Sequence, residues 1–193
     1  MKKKMYVIAA ILVVLAILGT GTLAYFTTRV VTHNVITSGD IDIQLVEKTM
    51  RNGQEVDYVN NSTGLMPGQD HSKIVRIKNV GGNPAWVRLK VQISITDETG
   101  KALSDAVLDI DYDTGTNGAW EEKDGAFYYK QKLDPGQSTK PLFRTVTLQD
   151  ATGNDYQNAR ISIAVQAEGI QYENNTNYAT AWPTGVAILP NLK

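Results

Sequence analysis

Apolar and polar side chains alternate along much of the chain. Ala85, Val87, Leu89, Val91, Ile93 and Ile95 are separated by Trp86, Arg88, Lys90, Gln92 and Ser94. A period of two puts successive side chains on opposite faces of an extended strand. The same alternation recurs in Ile161, Ile163, Val165 and Ala167, in Ile41, Ile43 and Leu45, in Val75 and Ile77, and in Phe127 and Tyr129. Each run predicts a strand with one buried and one wet face, the habit of antiparallel sheets covered on one side. Turn chemistry separates the runs. Arg51-Asn-Gly-Gln54 predicts a tight hairpin, because Asn-Gly supplies the positive φ angles that such a turn needs. Leu65-Met-Pro-Gly-Gln69 and Leu133-Asp-Pro-Gly-Gln137 each predict a reversal, with Pro fixing one corner and Gly the next. Gly81-Gly-Asn-Pro84 joins two strands, and Asn177 to Trp182 is long enough for one short turn. Many short strands with turns between them predict an all-β sandwich or barrel.

The N-terminus breaks the pattern. Lys2, Lys3 and Lys4 precede an unbroken apolar or small run from Tyr6 to Leu18, followed by Gly19-Thr-Gly-Thr-Leu-Ala-Tyr-Phe26. A basic start, an apolar middle and small residues at the end make up a secretory signal. Thr22 and Ala24 are small enough to precede a scissile bond, which places cleavage between Ala24 and Tyr25. Retention as an anchor is the alternative, since no charge occurs from Met5 to Thr28 and about 20 apolar residues span a bilayer. The strongly apolar part is short for that purpose, so the reading adopted is a signal peptide over 1–24 and one β domain over 25–193. On this reading the membrane is met only through the signal segment. Loss of the three early lysines leaves 16 basic residues against 20 acidic ones, a net charge of −4.

That balance gives no reason to expect nucleic acid as a partner. The absence of cysteine removes disulfides and thiolate metal sites. His33 and His71 are the two imidazoles, and neither a His-Glu-x-x-His helix nor a Gly-x-Ser-x-Gly turn occurs. Asp109, Asp111 and Asp113 followed by Gly115 resemble the opening of a calcium loop. The match fails at Gly115, one place late, and at Trp120, where a Glu belongs. The competing reading puts Leu108, Ile110 and Tyr112 inward on a strand and the three carboxylates in water. No cofactor is expected, calcium being the one candidate. Trp86, Trp120, Tyr128 and Tyr129 fit either a sugar-binding platform or the core and outer cover of a sandwich.

Several of these segments together resemble the camelysin and TasA-type exported proteins, whose signal is removed by a dedicated SipW-like peptidase. The carriers are Gly19-Thr-Gly-Thr-Leu-Ala-Tyr-Phe26, the strand Ser38-Gly-Asp-Ile-Asp-Ile-Gln-Leu45, and the Met66-Pro-Gly68 turn with Asn79-Val-Gly-Gly82. Val165-Gln-Ala-Glu-Gly-Ile-Gln171 and Ala179-Thr-Ala-Trp182 are similar to the family's closing elements. The resemblance implies an antiparallel jelly-roll-like sandwich behind an N-terminal hydrophobic signal helix. It also implies secretion to the extracellular matrix or cell surface. In fibre-forming members, subunits join by strand donation, with the signal peptidase, copies of the same chain and related matrix proteins as partners. Phe26, Val30, Val31, Val35 and Ile36 make the segment after the cut β-rich, so it suits a donor strand; pairing within its own domain is the rival expectation. The camelysin branch implies a metallopeptidase, whose ligands are not legible here. Three functions therefore stand: a structural surface or biofilm-matrix subunit, a secreted metallopeptidase, and a monomeric binder of cell-wall or glycan polymer.

Overall fold

Alternating side chains and positive-φ turns account for most of the strand boundaries. The computed structural model describes residues 34–38, 41–59, 67–150, 153–175 and 177–182. Its strands are β1 Asn34–Ser38, β2 Ile43–Arg51, β3 Gln54–Asp57, β4 Asp70–Asn79, β5 Ala85–Thr96, β6 Ala102–Leu103, β7 Leu108–Ile110, β8 Trp120–Lys123, β9 Ala126–Tyr129, β10 Phe143–Leu148 and β11 Arg160–Gln171. Asn52 and Gly53, at φ 51° and 77°, close the β2–β3 hairpin as the Asn-Gly pair predicts. Gly68 and Gly136, at φ 72° and 77°, take the left-handed corner of the two Pro-Gly turns.

The strands form two sheets. The first runs β1-β11-β5-β9-β8, with β6 paired to the far end of β5; the second runs β3-β2-β4-β10-β7. The pairings are antiparallel throughout, with one exception: β1 lies parallel to β11. The register obeys the alternation. Val87, Leu89 and Ile95 on β5 lie opposite Gly169, Ala167 and Ile161 on β11, all on the inner face. Burying one face of each sheet against the other is the standard solution of a sandwich. The core between the sheets holds Ile43, Leu45, Val75, Ile77, Val87, Leu89, Trp120, Phe127, Phe143 and Val165. Tyr112 stacks on Phe127 at 4.5 Å and meets Phe143 edge-on, closing one side. Gly169 lets the sheets approach near β1, because a Cβ there would lie 3.1 Å from Ile43 and 3.2 Å from Ile41.

The all-β, antiparallel sandwich expected from the sequence is the fold observed. The signal helix expected over 1–24 lies outside the described residues. One expectation needs correction. Each strand was to have a wet face, yet all four residues of β9 are buried, and Trp86 on the outer side of β5 is 7% exposed. The cause is the segment after β11, which crosses the outer face of the first sheet and covers these rings.

Candidate functional site

The chain's first described strand stands at a sheet border. The backbone of Asn34–Ser38 pairs with Gln166–Ile170 of β11, and no described strand lies beyond it. The outermost strands β3, β7 and β8 carry charges, Glu55 and Asp57 on β3, Asp109 on β7, and Glu121, Glu122 and Lys123 on β8, while the two-residue β6 carries none. β1 reads Asn-Val-Ile-Thr-Ser and carries none. Charges along an edge discourage pairing with another chain, because a partner strand would have to desolvate them. The β1 border lacks that protection. Val35 and Ile36 of the expected donor segment lie in β1; Phe26, Val30 and Val31 fall outside the described residues, as do Thr22, Ala24 and Tyr25 at the expected cut.

A second feature is the C-terminal strap, Tyr172 to Trp182. It follows β11 directly and grips the outer face of the first sheet by side chains. Trp86 packs against Tyr172 at 4.9 Å and Tyr178 at 6.0 Å, and its Nε1 donates to the carbonyl of Asn175. Tyr178 Oη donates to Glu121 at 2.6 Å, and this hydrogen bond, with some burial, raises the phenol's pKa. Trp182 lies over the Arg88 guanidinium at 4.1 Å. Beneath it, Glu168 accepts from Arg88 Nε, from Lys90 Nζ at 2.7 Å and from Gln166 Nε2 at 3.0 Å. Arg88 Nη1 donates to Tyr128 Oη. Glu168 and Arg88 face each other across the β5–β11 register, which is why two charged residues 80 positions apart meet. The side chain of Glu168 is only 8% exposed, so the carboxylate depends on its two cations.

Sequence reading foresaw the turn at Asn177–Trp182, where Thr180 and Ala181 amides donate to the Asn177 carbonyl. It did not foresee the Arg88–Glu168–Lys90 cluster. A signal existed, since Arg88 and Lys90 alternate with Leu89 on the polar side of β5, but finding their partner requires the register. Nor do the four aromatics form an open platform: Trp86, Trp120, Tyr128 and Tyr129 are all buried.

The acidic run begins on β7 and continues beyond it. Asp109 on β7 and Asp111 beyond it are exposed, and Asp113 is half-buried. Ile110 joins the core and Leu108 and Tyr112 pack on it, as the strand reading predicts. Behind this run, Lys130 Nζ donates to the carbonyls of Gly115 at 2.8 Å and Gly118 at 2.7 Å. An ammonium thus occupies the position between those carbonyls. A catalytic zinc needs three protein ligands and an open position. His71 sits on β4 opposite Val146, with its Nε2 buried and unpartnered, while neighbouring Asp70 accepts from Thr147 Oγ1. Among the described residues no three His, Asp or Glu side chains converge, so they do not fit such a metal. His33 lies outside them.

A family model described as camelysin metallo-endopeptidase matches residues 1–113. No curated protein and no solved structure matches the chain. The matched stretch takes in the Gly19–Phe26 segment, the Ser38–Leu45 segment and the Met66-Pro-Gly68 turn with Asn79–Gly82, on which the sequence resemblance partly rests; Val165–Gln171 and Ala179–Trp182 lie beyond it. The match spans more than half of the 193 residues, and the chain belongs to the camelysin family.

Proposed function

We propose that this protein is exported and acts as a structural subunit of the cell surface or biofilm matrix, joining copies of itself or related matrix proteins by strand donation. Signal peptidase would free Tyr25 and the segment behind it from the membrane. The observation that carries the reading is the position of β1: an uncharged strand at a sheet border, laid parallel to β11 while the other pairings between the described strands are antiparallel. A border of free N–H and C=O groups is a template for another chain, and backbone hydrogen bonds supply most of the affinity in such joins. Protein beginning at Tyr25 is expected to form fibres visible by electron microscopy, and deletion of residues 25–36 is expected to leave monomers. Fibres from the deleted form would defeat the proposal. N-terminal sequencing of protein from the medium checks the cut after Ala24.

The family's own description supports a second reading, a secreted metallopeptidase. Its test is casein cleavage by purified protein. Activity abolished both by a chelator and by His71→Ala would establish it, and indifference to both would remove it.

A further inference from the structure

The strap covers a sheet face that is built to be wet. On the outer side of the first sheet, Glu168, Arg88, Tyr128 and Glu121 stand in one row across four neighbouring strands. Glu168 takes its hydrogen bonds from Arg88, Lys90 and Gln166, and Arg88 donates to Tyr128 Oη, so these groups are satisfied within the sheet. Lifting the strap therefore leaves none of them without a partner, and water can take its place. The attachment of the strap is slight. Past Tyr172, whose amide donates to the Pro84 carbonyl, no backbone hydrogen bond joins it to the sheet among the described residues. Its other ties run through side chains.

Those ties have a distinct chemistry. The Asn175 carbonyl accepts from Trp86 Nε1 at 2.9 Å, and the Tyr178 hydroxyl donates to Glu121 at 2.6 Å. The rings of Tyr172 and Tyr178 lie against Trp86, and Trp182 lies against Tyr128 and Arg88. An amide carbonyl, a hydroxyl and flat apolar faces are also the groups of an N-acetylated sugar. Its hydroxyls suit charged side chains and its C–H faces suit aromatic rings, which combine an apolar body with a polar edge. Trp86 and Tyr128 are diagonal neighbours on β5 and β9, about 7–8 Å apart and within reach of one disaccharide. Arg88 and Lys90 balance Glu168 and Glu121, so the face favours a neutral polymer over a charged one.

We propose that the strap is a displaceable cover, and that Trp86, Arg88, Tyr128 and Glu121 beneath it bind a neutral N-acetylated glycan in its place. Strap and sugar compete, so the apparent affinity follows the fraction of molecules whose strap is lifted. This goes beyond the assembly reading and does not depend on it.

The test is calorimetric titration of the purified protein with a hexamer of N-acetylglucosamine, and with a hexamer of glucose for comparison. The unsubstituted chain is expected to prefer the N-acetylated hexamer. Tyr178→Phe removes a hydrogen bond to a carboxylate from the strap alone, and is expected to tighten binding about tenfold. Trp86→Phe keeps a ring but loses the indole N–H, and is expected to bind both hexamers alike. The amides of Thr180 and Ala181 donate to the Asn177 carbonyl within a single turn, which is unstable when it stands free. Their hydrogen exchange is expected to quicken when the N-acetylated hexamer saturates the protein. Binding that Tyr178→Phe weakens or leaves unchanged would overturn the cover. Binding without faster exchange of the strap would overturn the seat. Equal affinity of the unsubstituted chain for the two hexamers, or a preference that survives Trp86→Phe, would overturn the choice of ligand. No binding of either hexamer, by the unsubstituted chain or by Tyr178→Phe, would overturn the whole inference.

Discussion

Glu168 shows how much one side chain holds in place. Its carboxylate binds Arg88 and Lys90 at a site almost closed to water. Removing one partner of a buried ion pair leaves the other charge uncompensated, at about 3–5 kcal/mol. Glu168→Gln keeps the shape and part of the hydrogen bonding, so a loss of about 3 kcal/mol is expected in urea unfolding, at the low end of that range. Trp182→Ala removes the ring over Arg88 and the cover over Tyr128. Full truncation of a buried Trp costs about 3–5 kcal/mol; for this half-buried ring about 1–2 kcal/mol is expected by the same measurement. Tyr112 is a titration marker. Burial first, then Glu122 and Asp105, push its phenol up to about 12. Its folded pKa therefore exceeds the unfolded value, the unfolded chain loses this proton first, and the associated stability is present below about pH 10 and lost as pH rises toward 12. Tyrosinate absorbance should show this phenol ionising late, together with unfolding. Of these residues, Tyr112 was placed inward by alternation alone. Glu168 was invisible as a partner, because its meeting with Arg88 is made by two strands far apart in sequence.

Strands were the most legible elements, since period-two burial leaves a local imprint. β5, β11, β4 and β2 lie where Ala85–Ile95, Ile161–Ala167, Val75–Ile77 and Ile41–Leu45 put them. The strap was less legible, because its aromatics bury themselves against a sheet face that looks polar in sequence. β1 shows why an edge matters more than its length. A lysine on an edge strand must be desolvated when another strand adds to it. Val35→Lys is thus expected to abolish assembly in light scattering. The loop after β7 makes a further test. Lys130→Met removes both hydrogen bonds to the Gly115 and Gly118 carbonyls. About 1–3 kcal/mol of stability should go with them, and the amides of residues 114–118 should exchange faster with solvent.

Across the whole molecule, distant parts of the chain meet. Ile161 pairs with Ile95, and Ala167 with Leu89, so the central ladder of the first sheet closes loops of more than 60 residues. Folds dominated by such pairings pay the loop entropy before the contacts form, and they fold in milliseconds to seconds. Stopped-flow refolding followed by tryptophan fluorescence should fall in that range. Nothing in the hydrophobic pattern announced which strands would be neighbours; two similar alternating runs pair equally well on paper, and the choice is made by the shape of the closed core.

The parallel setting of β1 on β11 has a geometric outcome. Both strands point the same way, so β1 begins beside Gln166, in the middle of β11, and the strap begins just past its end at Gln171. The five steps of β11 from Gln166 to Gln171 separate those two points by about 17 Å. The particle therefore has a head and a tail, and rows of such particles, each gripping the next by its leading end, would all march in one direction.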